Sequence, residues 1–112
     1  MKHSYEGIGA WSATFVTEDA VEGQVVKMSA SGTVAACVAG DTFCGVVGPV
    51  RGGYCGVQLG GIVQVSYTGD VPAVGETVLA ADGQGGVCTA ESGKTCLIVA
   101  VDEAASTCMI KL

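Results

Sequence analysis

Charged residues are scarce in this sequence. They make up 14% of the 112 residues, against roughly 25% in ordinary soluble domains, whereas 49% of the residues are apolar. The few basic residues are scattered, and the formal net charge is -6. Surfaces that follow phosphates need clustered lysine and arginine, so we expect no nucleic-acid partner. So few charges favour a chain whose surface is partly covered by other protein chains, as in an oligomer.

Long apolar runs and histidine are also lacking. No run approaches the ~20 residues of a membrane-spanning helix, and the residues before Gly7 lack the apolar core of a signal peptide. We therefore expect synthesis in the cytosol and no membrane partner. The single histidine, His3, lies in a terminal segment, where chains usually fray. Catalysis needs a nucleophile, a base and a group that orients them, and no nucleophile stands near His3 in the sequence. We therefore expect no enzyme, no cofactor and no small-molecule substrate.

Six cysteines leave two interpretations open. Their even number is compatible with disulfide bonds, although the chain lacks an export signal and is rich in apolar residues. Buried free thiols are the favoured interpretation, because free cysteine behaves as a small hydrophobic residue. Zinc is disfavoured, since the sequence has no Cys-x-x-Cys motif.

Short strands separated by glycine dominate the chain. Helix signals are nearly absent, and eighteen glycines separate stretches rich in valine and threonine. In Tyr54–Leu59, apolar residues alternate with Tyr54, Gly56 and Gln58, as in half-buried antiparallel strands. Cys96–Val101 is continuously apolar, which predicts a central strand covered on both faces. The predicted strands are Ser12–Thr17, Gln24–Ser29, Thr33–Val38, Cys44–Val50, Tyr54–Leu59, Ile62–Tyr67, Glu76–Ala80, Gly86–Thr89, Thr95–Val101 and Ser106–Leu112.

Two parts of the chain resemble each other. Val21–Val26 is echoed by Ala73–Val78, and each leads through a turn to a short strand and then to an apolar strand that contains cysteine. The repeat predicts two similar β-meanders around one core, with the cysteines at equivalent inward positions. Chance similarity between valine-rich strands is the alternative. Three pairs of cysteines stand at equivalent positions of the repeat, 51 to 53 residues apart. They are Cys37 and Cys88, Cys44 and Cys96, and Cys55 and Cys108.

The predicted fold is all-β, a single small antiparallel β-barrel built of two similar meanders with an extended N-terminal arm. The arm and first strand occupy residues 1–16, and the barrel domain occupies residues 17–112. Aromatic and large apolar residues near the N-terminus are candidate anchors for a protein partner. Trp11 and Phe15 could instead close the barrel's own core, which is the favoured interpretation for Phe15. The candidate interface residues are Tyr5, Ile8, Trp11 and Phe15.

Several stretches share one pattern, in which a strand after glycine leads through a turn to a Gly-Val strand. A Val-Gly-x-x-Val segment and the Asp82-Gly83 hairpin follow later in the chain. The stretches are Glu22–Met28, Phe43–Val47, Gly60–Val65 and Val74–Leu79. With this layout, Gly23–Leu112, about four-fifths of the chain, resembles the small β-barrel decoration, or cement, proteins of tailed-phage capsids. The many cysteines depart from that family, although they stand where small apolar residues would.

The resemblance implies a structural virion protein on the outer surface of a capsid, assembled in the host cytoplasm. It implies a homotrimer whose N-terminal arm contacts the major capsid protein and stabilises the shell, and it implies no catalytic residues and no cofactor. Two alternatives stay open. One is another phage virion component, such as a fibre-base or tail module. The other is a small carrier-type β-barrel that displays a lysine, for which Lys27 is the nearest match.

Overall fold

Ten β-strands and no helix make up the part of the chain that the structure describes. A computed structural model describes residues 11–112, so Tyr5 and Ile8 lie outside the described residues. The strands are β1 (Trp11–Thr17), β2 (Val25–Ala30), β3 (Thr33–Ala36), β4 (Gly45–Arg51), β5 (Tyr54–Gly60), β6 (Ile62–Ser66), β7 (Gly75–Ala81), β8 (Val87–Thr89), β9 (Lys94–Asp102) and β10 (Thr107–Lys111). The all-β prediction is confirmed.

The first half of the chain closes into a five-stranded barrel with the order β1-β3-β2-β4-β5. Strand β1 pairs with β5 in antiparallel fashion and with β3 in parallel fashion, through Val16 with Thr33 and Thr17 with Val34. Gly52 and Gly53 form the tight turn from β4 to β5 with positive φ angles, which glycine adopts without steric cost. Strand β1 belongs to the barrel, because it lies between β5 and β3 and closes the ring.

The second half forms an open five-stranded sheet with the order β6-β10-β9-β7-β8. Its two edge strands come together only through one parallel bridge, Tyr67 with Val87. The closed barrel therefore uses the first meander alone, and the second meander packs beside it. Strand β8, at the edge of the open sheet, has only three residues.

The two halves share one strand order, which confirms the predicted pair of similar meanders. Following the neighbours from β1 gives β5, β4, β2 and β3, and following them from β6 gives β10, β9, β7 and β8. Even the closing bridges correspond, because Thr17 pairs with Val34 and Tyr67 pairs with Val87. The turn before β10 has Ser106 at φ 55°, where the turn before β5 has Gly53.

Of the three cysteine pairs predicted to be equivalent in the two halves, only one occupies equivalent positions in the sheets. Cys55 pairs with Phe15 of β1, and Cys108 pairs with Val65 of the equivalent strand β6, so these two cysteines correspond. The other two pairings are wrong, because bulges shift the register between the halves. Counted from the register of β5 and β10, Gly45 corresponds to Cys96. Counted from the closing bridges, Ala35 corresponds to Cys88.

Two hydrophobic cores hold the fold. One lies inside the barrel and includes Val26, Val47 and Val57. The larger one lies between the barrel and the open sheet, where Phe43 from the loop before β4 meets residues of the second half such as Ile98. Backbone hydrogen bonds join the halves as well. Val25 N donates to Gly85 O at 3.0 Å, Gly40 N donates to Ala81 O at 2.9 Å, and Ala81 N donates to Asp41 O at 2.9 Å.

Strand β9 is central in its sheet, as predicted, but it is covered on one face only. Cys96 and Ile98 face the larger core and are 2% and 1% exposed. Leu97, between them, points to the other face and is 41% exposed. The prediction of two covered faces is therefore wrong for Leu97 in the single chain.

Gly45 in β4 stands where another backbone approaches closely. A Cβ atom there would meet the carbonyl oxygen of Gln58 and would lie 2.7 Å from Val57 Cγ1. We expect Gly45→Ala to lower the free energy of unfolding by about 1–3 kcal/mol, because the barrel wall must shift to admit the methyl group. Chemical denaturation measures this loss.

Gly48 in the same strand is the matched control. Its added Cβ would lie 3.6 Å from the carbonyl oxygen of Gly56, an ordinary contact. Gly48→Ala should therefore change the free energy of unfolding by less than about 1 kcal/mol. Equal losses in the two variants would contradict the close approach at Gly45.

Candidate protein-protein interface

Strands β1 and β5 present one side to the barrel core and the other to solvent. Side chains of directly paired residues project from the same face of a sheet. Phe15 with Cys55 and Ala13 with Val57 are inward pairs, and Phe15, Cys55 and Val57 contribute to the barrel core. The opposite side, which we call the β1–β5 outer face, carries the remaining pairs. These pairs are Trp11 with Gly60, Ser12 with Gln58, Thr14 with Gly56 and Val16 with Tyr54.

Trp11 lies at one end of the β1–β5 outer face. A register shift between Trp11 and Ser12 turns the strand at this point. The indole lies directly over the backbone of Gly60, where a Cβ atom would collide with Nε1. Trp11 is nevertheless 59% exposed. Its ring is thus held against the sheet on one side and is open to solvent on the other.

Tyr54 lies at the opposite end of the same face and is 57% exposed. It is paired with Val16, which is 43% exposed. At about 3.4 Å per residue along a strand, the two aromatic residues are roughly 17–20 Å apart. Exposed aromatic residues on a rigid sheet resemble the anchors found at the centres of protein interfaces, where tryptophan and tyrosine contribute most of the binding energy.

A shallow groove runs beside Tyr54. Its volume is about 130 Å³, below the range of roughly 300–1,000 Å³ that is typical of small-molecule sites. Arg51 is the one charged residue among those that line it. The groove is lined by Thr14, Pro49, Arg51, Tyr54, Cys55 and Gly56. An open, mostly neutral groove of this size suits a side chain of a protein partner better than a free ligand.

The structure separates the sequence-predicted interface residues. Trp11 is on the β1–β5 outer face, whereas Phe15 is on the inward face and packs half-buried against the barrel core. Tyr5 and Ile8 lie outside the described residues. Sequence reasoning missed Tyr54, although the alternation of Tyr54–Leu59 had placed it on the polar side of its strand, where a large aromatic residue is unusual.

The cysteines are free thiols, and burial makes five of them poor nucleophiles. All six are unpaired in the structure, which agrees with the favoured interpretation of the sequence. Burial raises the pKa of Cys37 and of Cys108 to about 11. Burial also raises the pKa of Cys44, Cys55 and Cys96. Since the thiolate is the reactive form, these residues are poor nucleophiles at neutral pH.

Lys27 is held in an ion pair inside strand β2. Its Nζ lies 2.6 Å from Asp41 Oδ2, and that carboxylate also accepts a hydrogen bond from Val38 N at 2.9 Å. The hydrogen bond to Asp41 raises the pKa of Lys27, and the same hydrogen bond lowers the pKa of Asp41. A carrier lysine must stand on a tight hairpin, so Lys27 does not fit that role.

Residues 11–112 contain no group of three or more His, Cys, Asp or Glu side chains placed to hold a metal ion. Within the same range, no helix is long and apolar enough to cross a bilayer. No protein-family model and no curated protein matches the sequence.

Proposed function

We propose that this chain is a structural virion protein of the decoration, or cement, type, which binds the outer surface of a phage capsid without catalysing a reaction. The observation that carries the proposal is the β1–β5 outer face, where Trp11 and Tyr54 are both more than half exposed on a rigid barrel wall. The sequence resemblance of Gly23–Leu112 to capsid decoration proteins supplies the class of partner.

The partner in this proposal is the major capsid protein, and the bound form is a homotrimer on the shell. An apolar ridge of the capsid subunit would lie between the two aromatic rings, and an acidic residue of the capsid would meet Arg51 beside the groove. Contacts of one decoration protein with several capsid subunits would stabilise the shell. Assembly would take place in the host cytoplasm.

Removing either aromatic anchor should weaken binding to undecorated capsids strongly. We expect Trp11→Ala and Tyr54→Ala each to raise the Kd about 10- to 100-fold, because buried tryptophan and tyrosine contribute roughly 1.4–3 kcal/mol each at interface centres. Binding is measured by cosedimentation of the purified protein with capsids over a concentration series.

Val71→Ala serves as the control, because Val71 is 47% exposed and lies outside the β1–β5 outer face. It should bind as the unmodified chain does. Circular dichroism should show that all three variants keep their β-structure. Undiminished capsid binding by Trp11→Ala and Tyr54→Ala would exclude this face. Absence of capsid binding by the unmodified protein, together with rings or tubes that it forms alone, would instead favour a tail module.

A further inference from the structure

Three strands of the open sheet bring an acid, a leucine and a base into one row. Glu76 of β7 pairs with Leu97 of β9, and Leu97 pairs with Lys111 of β10. Paired residues share a face of the sheet. The row therefore points away from the larger core, which Cys96 and Ile98 enter from the opposite face of β9. We call it the Glu76–Leu97–Lys111 row.

All three side chains of the row are free to meet another molecule. Leu97 is 41% exposed, and Glu76 and Lys111 are exposed as well. The ion pair found among the described residues joins Lys27 and Asp41, so neither Glu76 nor Lys111 has a charged partner within residues 11–112. A partly exposed leucine in the middle of a central strand thus lies between two opposite charges that have no charged partner among the described residues.

The first half of the chain shows how this position can be used. Counted from the register of β5 and β10, Val46 corresponds to Leu97, and Val46 pairs with Val25 as Leu97 pairs with Glu76. Val25 and Val46 are 1% and 4% exposed, because they pack in the larger core against the second half. The same position of the repeated fold is therefore a contact surface in one half and an open surface in the other.

We propose that the Glu76–Leu97–Lys111 row is the centre of a twofold contact between two copies of this chain. Strands of a sheet lie about 4.8 Å apart, so Glu76 and Lys111 flank Leu97 at equal distances. A twofold axis parallel to the strands and above Leu97 stacks two such sheets about 10 Å apart. Leu97 then meets its copy, and each Glu76 faces a Lys111 of the partner subunit.

The row is self-complementary, which favours a second copy as the occupant over an unrelated protein. Twofold contacts require one surface that matches itself, and an acid and a base placed symmetrically about an apolar centre meet this requirement. The inference does not depend on the proposed function, because the β1–β5 outer face belongs to the other half of the chain and stays free in the pair.

Charge reversal tests the contact with four proteins: the unmodified chain, the two single variants and the double variant. In Glu76→Lys, two lysines of each copy face two lysines of the other, and in Lys111→Glu two acids face two acids. We expect either reversal to weaken self-association at least about 10-fold, because like charges that face each other across an interface repel. The double variant restores opposite charges and should associate like the unmodified chain. Analytical ultracentrifugation over a concentration series measures the association.

Mixing the two single variants gives the sharpest result. Each of them repels its own copy, but Glu76→Lys and Lys111→Glu together should form pairs, because every lysine then faces an acid. A merely structural role of either residue would not produce such rescue. The proposal would be overturned if all four proteins had the same mass at every concentration. This holds whether that mass is of monomers or of trimers built through another surface. So would a double variant or a mixture that fails to associate.

Discussion

Phe43→Ala is expected to lower the free energy of unfolding by about 3–5 kcal/mol, a large part of the stability of a domain of this size. Phe43 is 1% exposed and has no strand of its own, because it lies in the loop between β3 and β4. Its ring fills the larger core between the barrel and the open sheet. Truncation would remove packing from both halves at once and leave a cavity between them.

Equilibrium denaturation in urea measures this loss, with Val38→Ala in the same loop as the control. Val38 is 62% exposed, so its truncation should change the free energy of unfolding by less than about 0.5 kcal/mol. If the two halves depend on each other, Phe43→Ala should still unfold in one transition. A loss below about 1 kcal/mol in Phe43→Ala would mean that Phe43 does not join the halves as described.

Alkaline pH is expected to destabilise the fold through its buried thiols. Cys108 is 2% exposed, and burial raises its pKa from 9.0 to about 11. Below pH 9 the thiol keeps its proton in the folded and unfolded chains alike. Between pH 9 and 11 the unfolded chain loses the proton first, so stability falls as the pH rises. Cys108 alone accounts for about 2–3 kcal/mol of loss by the upper end of this range.

Neighbouring groups in the same core act in the same direction. Burial also raises the pKa of Cys96 and of Tyr67, which are 2% and 6% exposed. Tyr67 ordinarily titrates near pH 10, so its contribution begins about one pH unit above that of the cysteines. The combined loss should therefore become steeper above about pH 10.

Urea denaturation from about pH 8 to about pH 11, in the presence of a reductant, follows this loss. Cys108→Ala should flatten the decline between pH 9 and 11, although the variant is less stable at every pH. Val65→Ala is the matched control, because Val65 is paired with Cys108 and is equally buried but does not titrate. It should keep the full decline. The same slope in both variants would contradict the role given to Cys108.

Much of the secondary structure was predictable from the sequence because glycine and alternation act locally. The turn at Gly52 and Gly53 and the alternating strand Tyr54–Leu59 need only neighbouring residues to be recognised. The repeat was also visible, since two stretches with the same turns and strand lengths fold alike. Which cysteines of the two halves are equivalent could not be predicted, because each bulge moves every later residue to the other side of its strand.

The candidate interface was only partly predictable. Trp11 and Phe15 were both candidate anchors with core packing as the alternative, and the structure leaves Trp11 exposed while Phe15, four residues along the same strand, faces the core. The register shift after Trp11 decides this difference, and a shift of that kind depends on the paired strand β5. Tyr54 joined the same face only because β1 and β5 lie side by side, a contact between residues about forty positions apart.

The sequence by itself determined the all-β class, the positions of most strands and turns, and the pair of related meanders, because glycine spacing, alternation and repetition are local properties. Tertiary structure alone decided that one meander closes and the other stays open. It also decided that Phe43 fills the space between them, that Val46 is buried, and that the equivalent Leu97 is exposed. These outcomes depend on how two nearly equal halves pack together, and no local pattern carries that information.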